Sequence, residues 1–262
     1  MTAVTLIPLT TYFEGSPALD LPLVDTDVFG IVREGVLFRI SGIDLIAVGE
    51  NNAALALLTS TTATVYRAGF TTPGDGGGAF YTWTSAACSI NAGAGDNGSQ
   101  IPTVGGGSWR ISPMPCYDVR IWDAKVNGTD DTNAINAAIA SGLSPIFIPG
   151  VCNVTHLNAP PTNTRITGIS QYVSIIQTTS TTGDVLPLTN GGVIIDHVGF
   201  SSSVVRAGGY YVHFQTGNLS LTDFYMTGAW GAVAIDDGTS ITNIDRGLIA
   251  DSVGGGQAVI LY

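Results

Sequence analysis

The sequence predicts an all-β chain whose second half begins a parallel β-helix behind a single capping helix. Three observations carry that prediction. Short apolar runs punctuated by Gly, Asn, Asp and Thr recur along the chain, while few segments have helical periodicity. A loose block led by an aliphatic residue starts at 166, 193, 219 and 241, at intervals of 27, 26 and 22 residues. One Ala/Ile helix precedes that repeat.

The elements follow in order. In the first region, residues 1–66, Val28-Phe29-Gly30-Ile31-Val32 and Val36-Leu37-Phe38-Arg39-Ile40 flank Arg33-Glu34-Gly35, a β-hairpin pattern with a glycine free to take positive φ in the turn. Ser41 then caps a predicted helical turn over Gly42–Ala47, and Asn51 or Asn52 caps a second over Ala53–Leu58. The second region, residues 67–115, is punctuated by Pro73-Gly74-Asp75-Gly76-Gly77-Gly78, by Gly93-Ala94-Gly95-Asp96-Asn97-Gly98 and by Gly105-Gly106-Gly107. These read as turns between aromatic-bearing strands. The stretch Gly93–Asp96 has the look of a calcium-binding nonapeptide turn but does not recur at nine-residue spacing, so a plain turn is preferred.

The third region, residues 116–262, holds the helix and the repeat. Thr129-Asp130-Asp131-Thr132 offers N-cap groups and early negative charge. Ala134, Ile135, Ala138 and Ile139 form one apolar stripe, and Gly142 stops the helix before the strand Ile146-Phe147-Ile148. Within the repeat, Val193–Phe200, Leu219–Met226 and Ile241–Leu248 superimpose, with an earlier, less regular copy near Ile166. A period in the twenties built of short strands is that of a solenoid. Leucine-rich repeats need leucines at fixed offsets, which are missing; a parallel β-helix, whose coils hydrogen-bond only to their neighbours, fits.

Composition excludes several functions. The 262 residues carry nine Lys/Arg against 20 Asp/Glu, a formal net charge of −11, with no basic cluster to meet phosphate, so nucleic acid is not an expected partner. Mean hydropathy is +0.33, yet no run approaches the ~18 apolar residues of a spanning helix, so membrane insertion is not expected. No basic segment followed by a hydrophobic stretch marks a secretory leader. Cys88, Cys116 and Cys152 are odd in number and widely spaced, as reduced cysteines packed like small apolar groups would be. His156, His197 and His213 lack metal-ligand spacing, and neither metal nor cofactor is expected.

The stretch Trp122-Asp123-Ala124-Lys125-Val126-Asn127-Gly128-Thr129-Asp130-Asp131-Thr132, the Ala/Ile helix and Ile146-Phe147-Ile148-Pro149-Gly150 together resemble the opening segment of the pectate-lyase-like right-handed β-helices of bacteriophage tailspikes and tail fibres. Two positions depart from that pattern: Asp123 replaces a glycine and Asn127 an aspartate. The Gly74–Gly78 and Asp96–Gly98 turns with Trp109 are similar to a module that precedes the helix in many tailspikes, and Asp27–Ala47 resembles short virion-anchoring modules. The resemblance implies that Asp130 and Asp131 are structural capping groups. It further implies a homotrimer, assembled in the host cytoplasm, whose residues 1–66 attach to tail or baseplate proteins of the virion, with residues 67–115 as a linker. The β-helix would then point towards host-surface polysaccharide.

Such β-helices often cleave polysaccharide with carboxylate pairs, and glycoside hydrolysis needs two acids ~5–9.5 Å apart. The acids of the coils are Asp184, Asp196, Asp223, Asp236, Asp237, Asp245 and Asp251. Asp223 and Asp245 share a repeat position, so they are the candidate catalytic pair, stacked on coils ~4.8 Å apart with one pKa raised by the other's charge. The preferred reading makes them turn residues of a polar ladder, with His197 at the same position. Tyr210, Tyr211 and Trp230 either stack on sugars or pack between coils or subunits. The sequence closes on an apolar strand, Gly254–Tyr262, and a solenoid edge needs a cover. The expectation is therefore an N-terminal part of a longer protein or an end covered by another chain, with the groove on later coils. A depolymerase of the same fold and a bacterial secreted β-helix adhesin are the alternatives to a structural tailspike.

Overall fold

The computed structural model describes residues 29–33, 36–41, 44–58, 64–236, 240–250 and 259–261. It divides into two units, Met1–Pro113 and Met114–Tyr262.

In the first unit the predicted hairpin forms from β1 (Phe29–Arg33) and β2 (Val36–Ser41), with Arg33 opposite Val36. The predicted helical turn over Gly42–Ala47 is instead a strand, β3 (Asp44–Gly49), antiparallel to β2. The edge of β2 offers Asp44–Gly49 a full ladder of backbone hydrogen bonds, and such pairing overrides a weak local propensity. The second expected helix is present as α1 (Asn52–Leu57), and Asn51 Oδ1 accepts from the Ala54 N–H at 2.9 Å. Four strands follow: β4 (Thr64–Arg67), β5 (Ala79–Thr84), β6 (Gln100–Pro102) and β7 (Ser108–Ile111). All seven belong to one sheet in the order β1-β2-β3-β4-β5-β7-β6. The division expected at residue 66 falls within β4. Strand β4 pairs with β3 on one side and β5 on the other, joining the residues before and after it.

Two polar residues organise the glycine-rich segment. The Arg67 guanidinium is fully buried and donates to Gly77 O at 3.0 and 2.7 Å, to Asn52 Oδ1 at 2.8 Å and to Asn97 O at 3.0 Å. It lies 5.4 and 5.1 Å from the ring centroids of Phe70 and Tyr81. The Asp75 carboxylate accepts the N–H groups of Phe70, Thr71, Thr72 and Gly77. Burial alone would raise its pKa; these four donors outweigh that and bring it to about 2. The Asp96 carboxylate is likewise filled by Gly98 N, Gln100 N and Ser99 Oγ, which makes Gly93–Gly98 a hydrogen-bonded turn.

The second unit is a β-solenoid of about four turns. It opens with β8 (Tyr117–Asp118), α2 (Thr132–Ala140), β9 (Ile146–Ile148) and β10 (Val151–Val154). The next coil carries β11 (Arg165–Gly168), β12 (Ile175–Thr178) and β13 (Leu186–Leu188), and the one after it β14 (Val193–Asp196), β15 (Gly199–Ser202) and β16 (Tyr210–Phe214). Then come β17 (Asn218–Thr222), β18 (Tyr225–Thr227) and β19 (Gly231–Ile235), and finally β20 (Ser240–Asp245), β21 (Leu248–Ala250) and β22 (Val259–Leu261). They stack as three parallel sheets, β8-β9-β11-β14-β17-β20, β10-β12-β15-β18-β21 and β13-β16-β19-β22, called here the first, second and third.

Parallel pairing puts like positions over one another and so builds internal apolar ladders. Ile146, Ile166, Ile195 and Leu221 form one, Cys152, Ile176, Phe200 and Met226 a second, and Leu186, Val212 and Val233 a third, all buried. Each such side chain contributes about 1.5–3 kcal/mol on burial. The repeat starts at 193, 219 and 241 are in true register; Ile166 pairs with Ile195, two residues from the expected alignment but on the same face.

Helix α2 closes the first coil through specific bonds. Asp131 N donates to Asn153 O at 2.7 Å, Thr155 N to Thr132 Oγ1 at 2.8 Å and Asn158 N to Asn136 Oδ1 at 2.7 Å, so the edge beside β10 is not left bare. The buried stripe is Ala134, Ile135, Ala138 and Ile139. Asp131 is the N-cap residue, but its carboxylate turns away from the helix to accept Lys125 N and Val126 N at 2.6 and 3.2 Å. Its pKa is raised, by burial first, which those two donors only partly offset. Asp130 accepts Thr132 N at 2.9 Å. Cys88 and Cys152 are buried, Cys116 half-buried, and none is in a disulfide; burial pushes the Cys152 thiol up to about 12.

Candidate functional site

Between the first and second sheets the chain turns through two-residue corners: His197-Val198, Asp223-Phe224 and Arg246-Gly247. The leading residue of each has positive φ, 59°, 49° and 51°. Asp and His tolerate that region better than most residues. The second residue of the corner faces in, with Val198 and Phe224 buried. At Gly247 a Cβ would lie 1.9 Å from the Phe224 ring, so only glycine fits there.

The stacked corners line up a charged ladder. Arg165 grips Asp196 with two bonds, 3.1 and 2.5 Å. His197 Nδ1 is 3.2 Å from Asp196 Oδ2, and its Nε2 is 3.6 Å from Asp223 Oδ2. Arg246 Nη2 then donates to Asp223 Oδ2 at 2.8 Å. Burial would raise the Asp196 pKa, but the bonds from Arg165 and then His197 outweigh it and hold the group ionised. His197 and Arg246 reach solvent, their side chains 45% and 66% exposed.

Asp223 and Asp245 do not stack. The pairing of β17 with β20 slips by one residue after Leu219↔Ile241, so that Ser220 faces Asn243 and Asp245 faces Thr222. The position over Asp223 belongs to Arg246, and Asp245 Oδ2 lies 3.9 Å from Arg246 Nε. A single extra residue in β20 has replaced the expected carboxylate pair by an ion pair. Asp237 and Asp251 lie outside the described residues.

Beside this ladder stands an aromatic pair, one ring exposed and one half-buried, that the sequence did not reveal. Tyr172, in the connection before β12, meets Tyr225 at the start of β18 with ring centroids 5.3 Å apart and planes at 49°. Tyr172 is 59% exposed, and Ile169, Val173 and Leu248 are exposed as well. Gly199 makes the meeting feasible: it pairs with Tyr225, and a Cβ there would come within 2.3 Å of Gln171 O. The only sequence signal for this arrangement is a glycine where the neighbouring coils carry Ile175, Tyr225 and Leu248.

A second polar cluster spans the third sheet. His213 Nδ1 is 2.5 Å from Asp184 Oδ2 and its Nε2 3.1 Å from Asp236 Oδ1. Burial would lower the His213 pKa; the bonds to Asp184 and Asp236 outweigh it, so the imidazole, which bridges three coils, is held above its ordinary value. Tyr210 packs against it at 5.4 Å, while Tyr211 is buried with its hydroxyl on Thr227 O at 2.6 Å and Trp230 is partly exposed. His156 is exposed. Among the described residues, no three His, Cys, Asp or Glu side chains group as a metal site.

Three stacked parallel sheets with a helix across the first coil define a parallel β-helix protein. Among the solved structures similar to it are phage tailspikes. Full-length tailspike protein 2 from Escherichia coli O157:H7 bacteriophage CAB120 matches with a TM-score of 0.56 and 16% identity, over 88% of this chain and 43% of its own length. The enzymatically active domain of tailspike protein 2 from bacteriophage CBA120 matches with a TM-score of 0.53 and 17% identity, over 78% of this chain and 40% of its own. The chain thus spans less than half the length of these neighbours, and at such identity the likeness is one of fold. No family model matches the sequence, and no curated protein is similar to it.

Proposed function

We propose that this protein is a phage tailspike or tail fibre that recognises host-surface polysaccharide. The N-terminal region, residues 1–66, attaches it to the tail or baseplate of the virion, and the β-helix is presented as a homotrimer. One observation carries the reading: a helix-capped parallel β-helix that follows a tailspike over 88% of the chain. Sedimentation equilibrium tests the assembly, with a mass of three chains expected and a stable monomer counting against it. Pull-down of tail or baseplate proteins by residues 1–113, and its absence with residues 114–262, tests the anchor.

A second reading, depolymerase activity, is favoured by the His197 imidazole lying between Asp196 and Asp223 at a solvent-facing corner. In this reading Asp223 with His197 supplies proton transfer, and Asp196, itself paired with Arg165, positions the His197 ring. New reducing ends or unsaturated uronates released from purified capsule or lipopolysaccharide, and abolished by Asp223→Asn, would establish it. Absence of product removes it and leaves the recognition role.

A further inference from the structure

We infer that the Tyr172–Tyr225 pair, flanked by His197, Asp223 and Arg246, is a binding subsite for an uncharged pyranose ring. The inference rests on the glycan-recognition reading above and adds the place on the coil and the class of sugar.

The register sets the two halves of the subsite side by side. Gly199, Tyr225 and Leu248 stack on successive coils, and His197, Asp223 and Arg246 stand two residues before each of them. A pyranose has a C–H face and a rim of hydroxyls. The tyrosine rings suit the face, and the adjoining carboxylate, imidazole and guanidinium supply acceptors and donors for the rim. Tyr172 is held out rigidly rather than left over. Ser174 N donates to Ser170 O at 2.9 Å, Ile169 N to Ser174 Oγ at 2.8 Å, and the Gln171 carbonyl fills the space that Gly199 leaves open. A ring presented in this way costs little further ordering when a ligand stacks on it.

Charge selects the class of sugar. Arg165 is committed to Asp196 and Arg246 to Asp223, and His197 lies between the two carboxylates. With Asp245 beside Arg246, the corner offers acidic sugars no uncompensated cation. The chain's net charge of −11 repels polyanions from further away.

The test titrates the full-length chain with two sets of bacterial oligosaccharides, one neutral and one containing uronate or sialate, and follows heat and ligand saturation-transfer signals. Neutral members bind, acidic ones do not, and Tyr172→Ala weakens binding about three- to tenfold. Tyr172→Phe retains binding, and circular dichroism of both variants matches the parent. If neutral sugars bind and Tyr172→Ala binds equally well, the subsite is wrong while glycan recognition stands. Preference for the acidic set overturns the sugar class. If neither set binds and Tyr172→Ala changes the mass of the assembly, the patch is a contact between copies and the inference fails. Failure of both sets with unchanged mass overturns the inference together with the reading beneath it.

Discussion

The two units solve the problem of a glycine-rich, weakly charged chain in opposite ways. The first unit concentrates its order in point anchors: one buried guanidinium with four bonds and one carboxylate with four amide donors hold loops around a sheet of mixed direction. The second distributes order along ladders in which each coil repeats its neighbour's contacts. A chain without regular repetition must spend unique polar residues on each loop; a solenoid needs the same aliphatic position filled once per turn. Damage should accordingly be steep and local in the first unit, and graded along the stack in the second.

The largest effect is expected at Arg67. Arg67→Met leaves Gly77 O, Asn97 O and Asn52 Oδ1 without their buried donor. It should cost about 3–5 kcal/mol, seen as lost amide-exchange protection across β4, β5 and β7. Next comes Ile195→Ala, in the ladder between Ile166 and Leu221. About 2–4 kcal/mol should be lost, with protection falling in β11, β14 and β17 and less in more distant coils. Equal loss across all coils would show that the stack behaves as one cooperative block.

The units should also part company with pH. Asp75 has its folded pKa lowered to about 2, so its stabilisation is present above its unfolded value of 3.8 and disappears as pH falls through about 2. His213 has its folded pKa raised above 6.5, so its stabilisation is full below 6.5 and is lost as pH rises through the folded value. Asp184, Asp236, Tyr210 and Gln215 are the groups that face it. Amide exchange near β13, β16 and β19 should therefore quicken from pH 6 to 9, after correction for intrinsic rates, and His213→Gln should flatten that dependence. Asp196 adds an acid-side loss in the second unit, so the alkaline limb is the one that separates the two. The smallest effect belongs to Asp245→Asn. Its carboxylate is 3.9 Å from Arg246 Nε and more than half exposed, and the melting free energy should move by no more than about 0.5 kcal/mol.

Legibility followed the range of the forces involved. Helix α2 was readable because its stripe and its Gly142 stop are local, and α1 because Asn51 sits beside the N–H it caps. The strand Asp44–Gly49 is not legible locally because its state depends on the edge of β2, which no window of that length contains. The repeat position of Asp223 is legible in the sequence, but the partner above it is Arg246 and not Asp245, because the extra residue in β20 shifts the register. Tyr172 was missed because it meets Tyr225 from another coil.

The sequence by itself determined the all-β composition, the solenoid period, the capping helix and the faces that point inwards, because periodicity and end signals act between near neighbours. Only the tertiary structure decided which charges and rings meet on the outside of the coils. Successive coils lie more than twenty residues apart in sequence, and a slip of one residue moves a side chain to a different partner. That slip turned the expected carboxylate pair into the Asp223–Arg246 ion pair.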